Sequence, residues 1–193
     1  MAELLVIRWW DWPVERITKN LFAIVGTDLG SAERCPMRPI TFTCRETLAL
    51  APADIAGQIL DLAKWPEFAG YGPLPGIRSA EFESRTPEAV GTRIKVTNTD
   101  GSVHVEEIVE WQPDARIVLH MTGFSPPLSR LATRFEEEWA FERVGDTTHA
   151  ARTFRLYPKS VLTRPAVWLI SCFLRRAVTR HLRQIKASVQ QHD

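Results

Sequence analysis

From residue 40 onward the chain alternates between apolar and polar positions in short runs, the two-residue period of half-buried strands. Such runs fall at residues 40–50, 77–84, 91–99, 102–112, 116–122, 133–144 and 147–157. The period becomes helical in two places. Residues 51–68 carry Pro52 near a helix start, apolar side chains at Ile55, Ile59, Leu60 and Ala63, and Pro66 as a stop. Residues 165–190 read as a long helix, on which Leu174, Val178, Leu182, Ile185 and Val189 line one stripe. Asp100-Gly101, Gly145-Asp146 and Pro113-Asp114 mark tight turns. The Gly- and Pro-rich stretches 70–77 (GYGPLPGI) and 122–132 (TGFSPPLSRLA) mark irregular loops. One strand, a helical segment, six strands and a long helix predict an α+β fold built on an antiparallel sheet.

Residues 1–39 stand apart as a helical extension and linker, and 40–193 form the main domain. In the extension Asp11 can cap a helix with Pro13 in its first turn, and Val14, Ile17, Leu21, Ile24 and Val25 follow at helical spacing. Gly30 can end it.

The tight turns predict which side chains face inward. A two-residue loop at Asp100-Gly101 puts Ile94, Val96, Val103, Val105, Glu107, Val109 and Trp111 on the buried face, with Lys95 opposite Glu106 outside. The same logic at Gly145-Asp146 puts Phe135, Glu137, Trp139, Phe141, Ala150, Arg152, Phe154 and Leu156 inward, with Glu136 opposite Arg155 outside. Continuing through Pro113-Asp114 turns Val118 and His120 inward. A slip of one residue in any pair reverses its faces. The inner face then holds four polar side chains: Glu107, His120, Glu137 and Arg152. A buried unpaired charge costs several kcal/mol, so such groups pair, neutralise or line a wet cavity. These four are the candidate proton-transfer groups, and an internal ion pair with a satisfied histidine is the alternative.

Composition narrows the function classes. The chain has 193 residues, 45% hydrophobic and 24% charged, with a net charge of +1. That is a globular balance, neither disordered nor globally basic. Cys35, Cys44 and Cys172 form no C-x-x-C pair, which suits a reducing, cytoplasmic setting. The opening MAELLVIRWWDW lacks the order of a signal peptide, because Glu3 comes first and Arg8 and Asp11 break the apolar run. The five histidines fall in no H-x-x-x-H or H-E-x-x-H pattern, so no metal is expected. G-x-S-x-G, G-x-G-x-x-G and P-loop sequences are absent too, and no cofactor is expected. Charge is uneven: Lys159, Arg164, Arg175, Arg176, Arg180, Arg183 and Lys186 are followed by a single acid, Asp193. The apolar outer face of the last helix at Trp168, Leu169 and Cys172 needs a cover. That cover is the N-terminal segment, a second subunit in a homodimer, or a membrane surface met by Trp9, Trp10, Trp12 and the basic helix. The arginines are not interleaved with aromatic residues, which argues against nucleic acid.

Residues 41–190 resemble the START-like helix-grip superfamily, also called SRPBCC, which includes polyketide cyclase/dehydrase, lipid-transport and Bet v 1-like proteins. The likeness is carried by Trp65-Pro66-Glu67-Phe68, Gly91-Thr92-Arg93, the hairpin 98–102 (NTDGS) and 136–141 (EEEWAF). It implies a seven-stranded curved antiparallel sheet around the C-terminal helix, with a hydrophobic cavity between them. The cavity would take a hydrophobic small molecule such as a lipid or polyketide, as a carrier or binding module. A cyclase- or dehydratase-like enzyme is the alternative, and the superfamily has no shared catalytic motif to carry over. Trp111, Phe135, Trp139, Phe141, Phe154, Leu174, Val178 and Leu182 are the expected walls. Tyr71, Leu74, Phe124 and Leu128, on the two irregular loops, are the expected gates.

Overall fold

A computed structural model describes residues 38–190. The extension expected over 1–39 lies, up to residue 37, outside the described residues. Seven strands form one antiparallel sheet: β1 (Ile40–Leu48), β2 (Ile77–Ser84), β3 (Arg93–Asn98), β4 (Val103–Gln112), β5 (Arg116–Thr122), β6 (Ala132–Val144) and β7 (Thr147–Pro158). Their spatial order is β1-β7-β6-β5-β4-β3-β2. The helices are α1 (Pro52–Leu60), a short α2 (Leu128–Leu131) and the long α3 (Arg164–Gln190), with a 3-10 turn over Leu62–Glu67. The result is the antiparallel sheet and terminal helix expected from the strand and helix periods, in the curved seven-stranded form that the resemblance implies.

Local chemistry explains the element ends. Pro52 sits in the first turn of α1, where its missing N–H costs nothing. The α-helix stops at Leu60 and tightens into the 3-10 turn, and the Trp65 indole N–H donates to the Ile59 carbonyl across that join. Pro66 lies inside that turn, where its missing N–H cannot continue an α-helical ladder. In the loop that follows, a side chain at Gly70 or Gly76 would collide with loop backbone at Leu74 and Ala69. Only glycine permits that close return.

α3 packs on the inner face of the sheet. Val167, Leu174, Ala177, Val178, Leu182 and Ile185 are buried, and Val189 is half-buried. The inner face of the sheet carries Ile94, Val96, Ile108, Ile117, Leu119, Phe154 and Leu156, all fully buried. Polar ties fix the helix against β1. The Cys44 thiol donates to the Arg175 carbonyl at 3.6 Å, and Lys186 Nζ lies 2.7 Å from Glu46 Oε1.

The β6–β7 hairpin has the register its Gly145-Asp146 turn predicts, with Val144 opposite Thr147 and Glu136 opposite Arg155. The β3–β4 hairpin does not. Its loop is three residues, 99–101, closed by Asn98 N–H to Ser102 O at 2.8 Å and Gly101 N–H to Asn98 O at 3.0 Å. Gly101 takes the left-handed conformation at φ 86°, which a three-residue hairpin loop needs. The pair therefore slips by one: Val96 opposes His104, Ile94 opposes Glu106, and Arg93 opposes Glu107. Glu107 faces outward and bonds Arg93 at 3.0 Å, contrary to the sequence expectation. Lys95 pairs with Glu81 at 3.0 Å rather than with Glu106. A bulge between Ile108 and Glu110 then restores the original phase, so Trp111 returns to the inner face opposite Ile117. His120 opposes Glu107 and Glu136 on the outer face, with Nε2 at 3.6 Å from a Glu136 oxygen, so it too is a correction, and Val118 with it.

The Glu46–Lys186 bond is a direct test of the β1–α3 contact. Lys186 holds the Glu46 carboxyl below its ordinary value of 4.5, so the stabilisation is present above that value and fades as pH falls below it. The pair is partly exposed and is worth up to about 1 kcal/mol. Glu46→Gln should lower the melting temperature by about 2–4 °C at most at neutral pH, and the difference should shrink as the pH of thermal melts falls below 4.5. A constant difference across that range would contradict the assignment.

Candidate functional site

The corrected register makes the inner face more polar, not less. β4 turns His104 and Glu106 inward and leaves Val103 and Val105 half-buried on the outer side. A sheet that inverts its own apolar pattern gains nothing in burial, and such local violations concentrate at functional sites. Glu106 is 6% exposed, and its Oε1 lies 3.1 Å from His104 Nε2. The His104 ring lies 6.0 Å from Phe124, whose own ring lies 4.9 Å from Phe135 and is tilted to it by 51°. Phe124 belongs to the second irregular loop, so this pair sits beneath one expected gate.

A second polar group occupies the same face one strand pair away. β6 presents Glu137 and β7 presents Arg152, diagonal neighbours across their ladder. Arg152 Nε–H donates to Glu137 Oε1. Arg152 Nη1 lies 3.2 Å from His181 Nδ1 on α3. Three elements thus converge on one guanidinium. Its charge also sits over aromatic rings, 4.7 Å from the centre of Trp139, 5.2 Å from Phe154 and 5.9 Å from Phe68. Phe68, from the Trp65-Pro66-Glu67-Phe68 segment, meets the His181 ring edge-on at 5.7 Å.

The protonation pattern follows from donor and acceptor capacity. Arginine only donates, so His181 Nδ1 must accept, and the ring proton sits on Nε2. Protonating Nδ1 would aim N–H at N–H beside a positive charge. Burial, reinforced by Arg152, holds the imidazole pKa down to about 3. Burial pushes the Glu137 carboxyl up from its ordinary value, against the pull of Arg152, and the nearby Glu106 adds to the rise.

Two nitrogens in this cluster are open. Among the described residues, Arg152 Nη2 and His181 Nε2 have no hydrogen-bond partner. No buried side-chain nitrogen or oxygen is left unbonded among the described residues, so both atoms are reached by solvent. They are N–H donors on the inner side of the sheet and on the helix that faces it. Solvent therefore reaches the cluster at this point, beside Phe68, Trp139 and Phe154.

The remaining expected wall residues divide clearly. Phe135, Trp139, Phe141, Phe154, Leu174, Val178 and Leu182 are buried on the inner side, and Trp111 is half-buried. Tyr71 and Leu74 bridge each other in the first loop, with the Arg176 guanidinium 5.7 Å from the Tyr71 ring, and Leu128 opens α2. Outside, Glu136 and Glu138 engage Arg155 at 2.7 and 2.8 Å, and Arg116 reaches Glu110 at 2.6 Å. That ladder explains the EEEW run: two outer carboxylates flank the inner Glu137. Trp168 is 53% exposed and borders a surface groove of ≈ 600 Å³ with Pro39, Ile40, Thr41, Val161, Arg164 and Pro165. Among the described residues no His, Cys, Asp and Glu cluster could hold a metal, and no helix is long and apolar enough to cross a membrane.

Sequence reasoning missed His104, Glu106 and His181. The first two follow from the hairpin slip. His181 did carry a signal: it lies three residues after Val178 and four before Ile185, within the helix stripe. The neutral state of His181 gives a stability test. As pH falls below 6.5 the unfolded chain binds a proton that the folded chain refuses until about 3. Wild-type stability should therefore lose about 1.4 kcal/mol per pH unit relative to His181→Phe over that interval. Denaturant melts giving parallel pH profiles would contradict the buried neutral imidazole.

A family model described as polyketide cyclase / dehydrase and lipid transport matches residues 39–190. No curated protein matches the sequence. Among solved structures, TTHA0849 from Thermus thermophilus is similar at TM-score 0.60 and 15% identity, covering 80% of this chain and 99% of that one. The di-domain ARO/CYC StfQ from the steffimycin biosynthetic pathway is similar at TM-score 0.60 and 18% identity, covering 80% of this chain and 52% of that one. Ara h 8.0201 aligns at TM-score 0.52 and 16% identity over 75% of this chain and 98% of its own. At these identities the likeness establishes the helix-grip fold. With the family match spanning nearly every described residue, the chain belongs to the polyketide cyclase/dehydrase and lipid transport family.

Proposed function

We propose that this protein binds a hydrophobic small molecule between the inner face of the sheet and α3, as a carrier or binding module. The observation that carries the reading is the pair of solvent-reached donors, Arg152 Nη2 and His181 Nε2, set among Phe68, Trp139 and Phe154. A core built only for stability would satisfy those nitrogens or replace them with apolar groups. A mostly apolar wall with a few convergent polar groups is the usual make-up of a small-molecule site. Membership of the family supports the same class of ligand.

A second reading is favoured by Glu137. Its carboxyl is pushed up by burial and sits within a chain of polar groups, an arrangement suited to proton transfer. The similar StfQ structure carries the name ARO/CYC. Under this reading the protein is a cyclase that closes a ring on a polyketide-type substrate and releases water.

One experiment serves both. Native mass spectrometry of protein purified from its own host should show a hydrophobic molecule that leaves on denaturation. If the protein is a carrier, Glu137→Gln should retain the same molecule. If it is a cyclase, Glu137→Gln should retain a precursor heavier by one water. Protein that carries no such molecule, and takes up none from a host lipid extract, would contradict both.

A further inference from the structure

The loop that joins β7 to α3 departs from the usual chemistry of a turn. Ser160–Thr163 closes a tight turn, with Thr163 N–H donating to the Ser160 carbonyl at 3.2 Å. Its two ends also exchange side-chain bonds. Ser160 N–H donates to Thr163 Oγ1 at 3.0 Å, and Thr163 N–H donates to Ser160 Oγ at 3.2 Å. Lys159 N–H ties the stem to the Leu131 carbonyl at 2.9 Å, and Thr163 is buried. The tip of this fixed turn is Val161-Leu162, 72% and 47% exposed. Central turn positions favour Gly, Pro, Asn, Asp and Ser. Two aliphatic side chains held out there gain nothing from packing within the chain. Val161 shares the surface groove with Trp168, one turn into α3, so the exposed apolar side chains form a cluster rather than a scatter.

The surface around that tip carries one sign of charge. Residues 159–190 contain no Asp or Glu. Lys159 and Arg164 flank the tip, and Arg175, Arg176, Arg180 and Arg183 are exposed on α3. Among the described residues none of the six forms an ion pair, and Arg176 lies 5.7 Å from the ring of Tyr71, itself exposed. Trp168, Arg175, Arg176 and Arg183 follow one another at steps of seven, one and seven residues, which puts them on one side of the helix, turned away from the sheet.

We propose that this face docks on a membrane surface rich in anionic lipid. Val161, Leu162 and Trp168 enter the headgroup region, and the arginines of α3 lie over the lipid phosphates. The aliphatic tip gains by leaving water, and the indole suits the interface. The basic side chains are drawn to the negative potential of such a leaflet. A second copy fits poorly, because a two-fold contact through this face sets Lys159, Arg164 and the helix arginines against their own counterparts. A nucleic acid answers the cations but leaves the Val161-Leu162 tip without a partner. The proposal does not depend on the ligand reading, since Arg152 and His181 lie on the opposite side, between helix and sheet.

The test is co-sedimentation of the full chain with vesicles of phosphatidylcholine alone and of phosphatidylcholine with phosphatidylglycerol. The anionic vesicles should bind about tenfold more tightly than the neutral ones, and the excess should fall as salt rises from about 0.1 M to about 0.5 M. Val161→Ser with Leu162→Ser alters two exposed side chains and should weaken binding to anionic vesicles about tenfold. Arg175→Gln with Arg183→Gln should weaken it by about the same factor and flatten the salt dependence. The two double variants probe the apolar and basic halves separately, so one decides the matter if the other fails to fold. A folded variant of either kind that binds as tightly as wild type would overturn the proposal. Equal binding to both vesicles, binding to a DNA duplex without binding to vesicles, or a stable dimer in sedimentation velocity that Val161→Ser with Leu162→Ser dissociates would overturn it as well.

Discussion

The guanidinium of Arg152 is the group on which the interior depends. It is 11% exposed, with Glu137 on one side, His181 on another and three aromatic rings around it. Removing an ion of this kind from water costs several kcal/mol, and attraction to a partner recovers that only with good geometry and further hydrogen bonds. Replacing such a pair with apolar residues is often neutral or stabilising. Its presence on an otherwise aliphatic and aromatic face is therefore hard to explain by stability. It is explained if the donors left over have work to do.

The sheet's own register supports that view. Three residues in the β3–β4 loop rather than two bring His104 and Glu106 inward, and the bulge after Ile108 brings Trp111 back. Without the bulge the phase error would continue to the end of β4 and expose Trp111 in place of Glu110. The slip is thus confined to a patch beneath Phe124 and Phe135. Two polar groups, one on β4 and one across β6, β7 and α3, share a face, and Glu106 acts on the charge of Glu137.

Most of the fold was legible because it rests on local signals. Alternation placed all seven strands, and the stripe from Leu174 to Ile185 placed the helix. The β6–β7 register could be read because Gly145-Asp146 forms the two-residue loop it suggests. Asp100-Gly101 could not be read the same way. Asp-Gly suits a two-residue turn, and equally the last two positions of a three-residue loop whose glycine is left-handed. Val103 and Val105 also made the wrong face look apolar. Glu107 and His120 were misplaced for that reason, whereas Glu137 and Arg152 were placed inward and meet. His181 escaped because its partner lies on the sheet, a contact that no local pattern records.

The tautomer of His181 reports on this arrangement most directly. Nitrogen-15 NMR of the imidazole distinguishes a protonated ring nitrogen from a bare one. The structure predicts a neutral ring with Nδ1 bare and Nε2 protonated, unchanged from pH 7 down to at least 5, since the folded pKa lies at about 3. A ring that becomes doubly protonated near 6.5, or one that carries its proton on Nδ1, would mean that Arg152 does not hold it, and the ligand site drawn around that bond would fail.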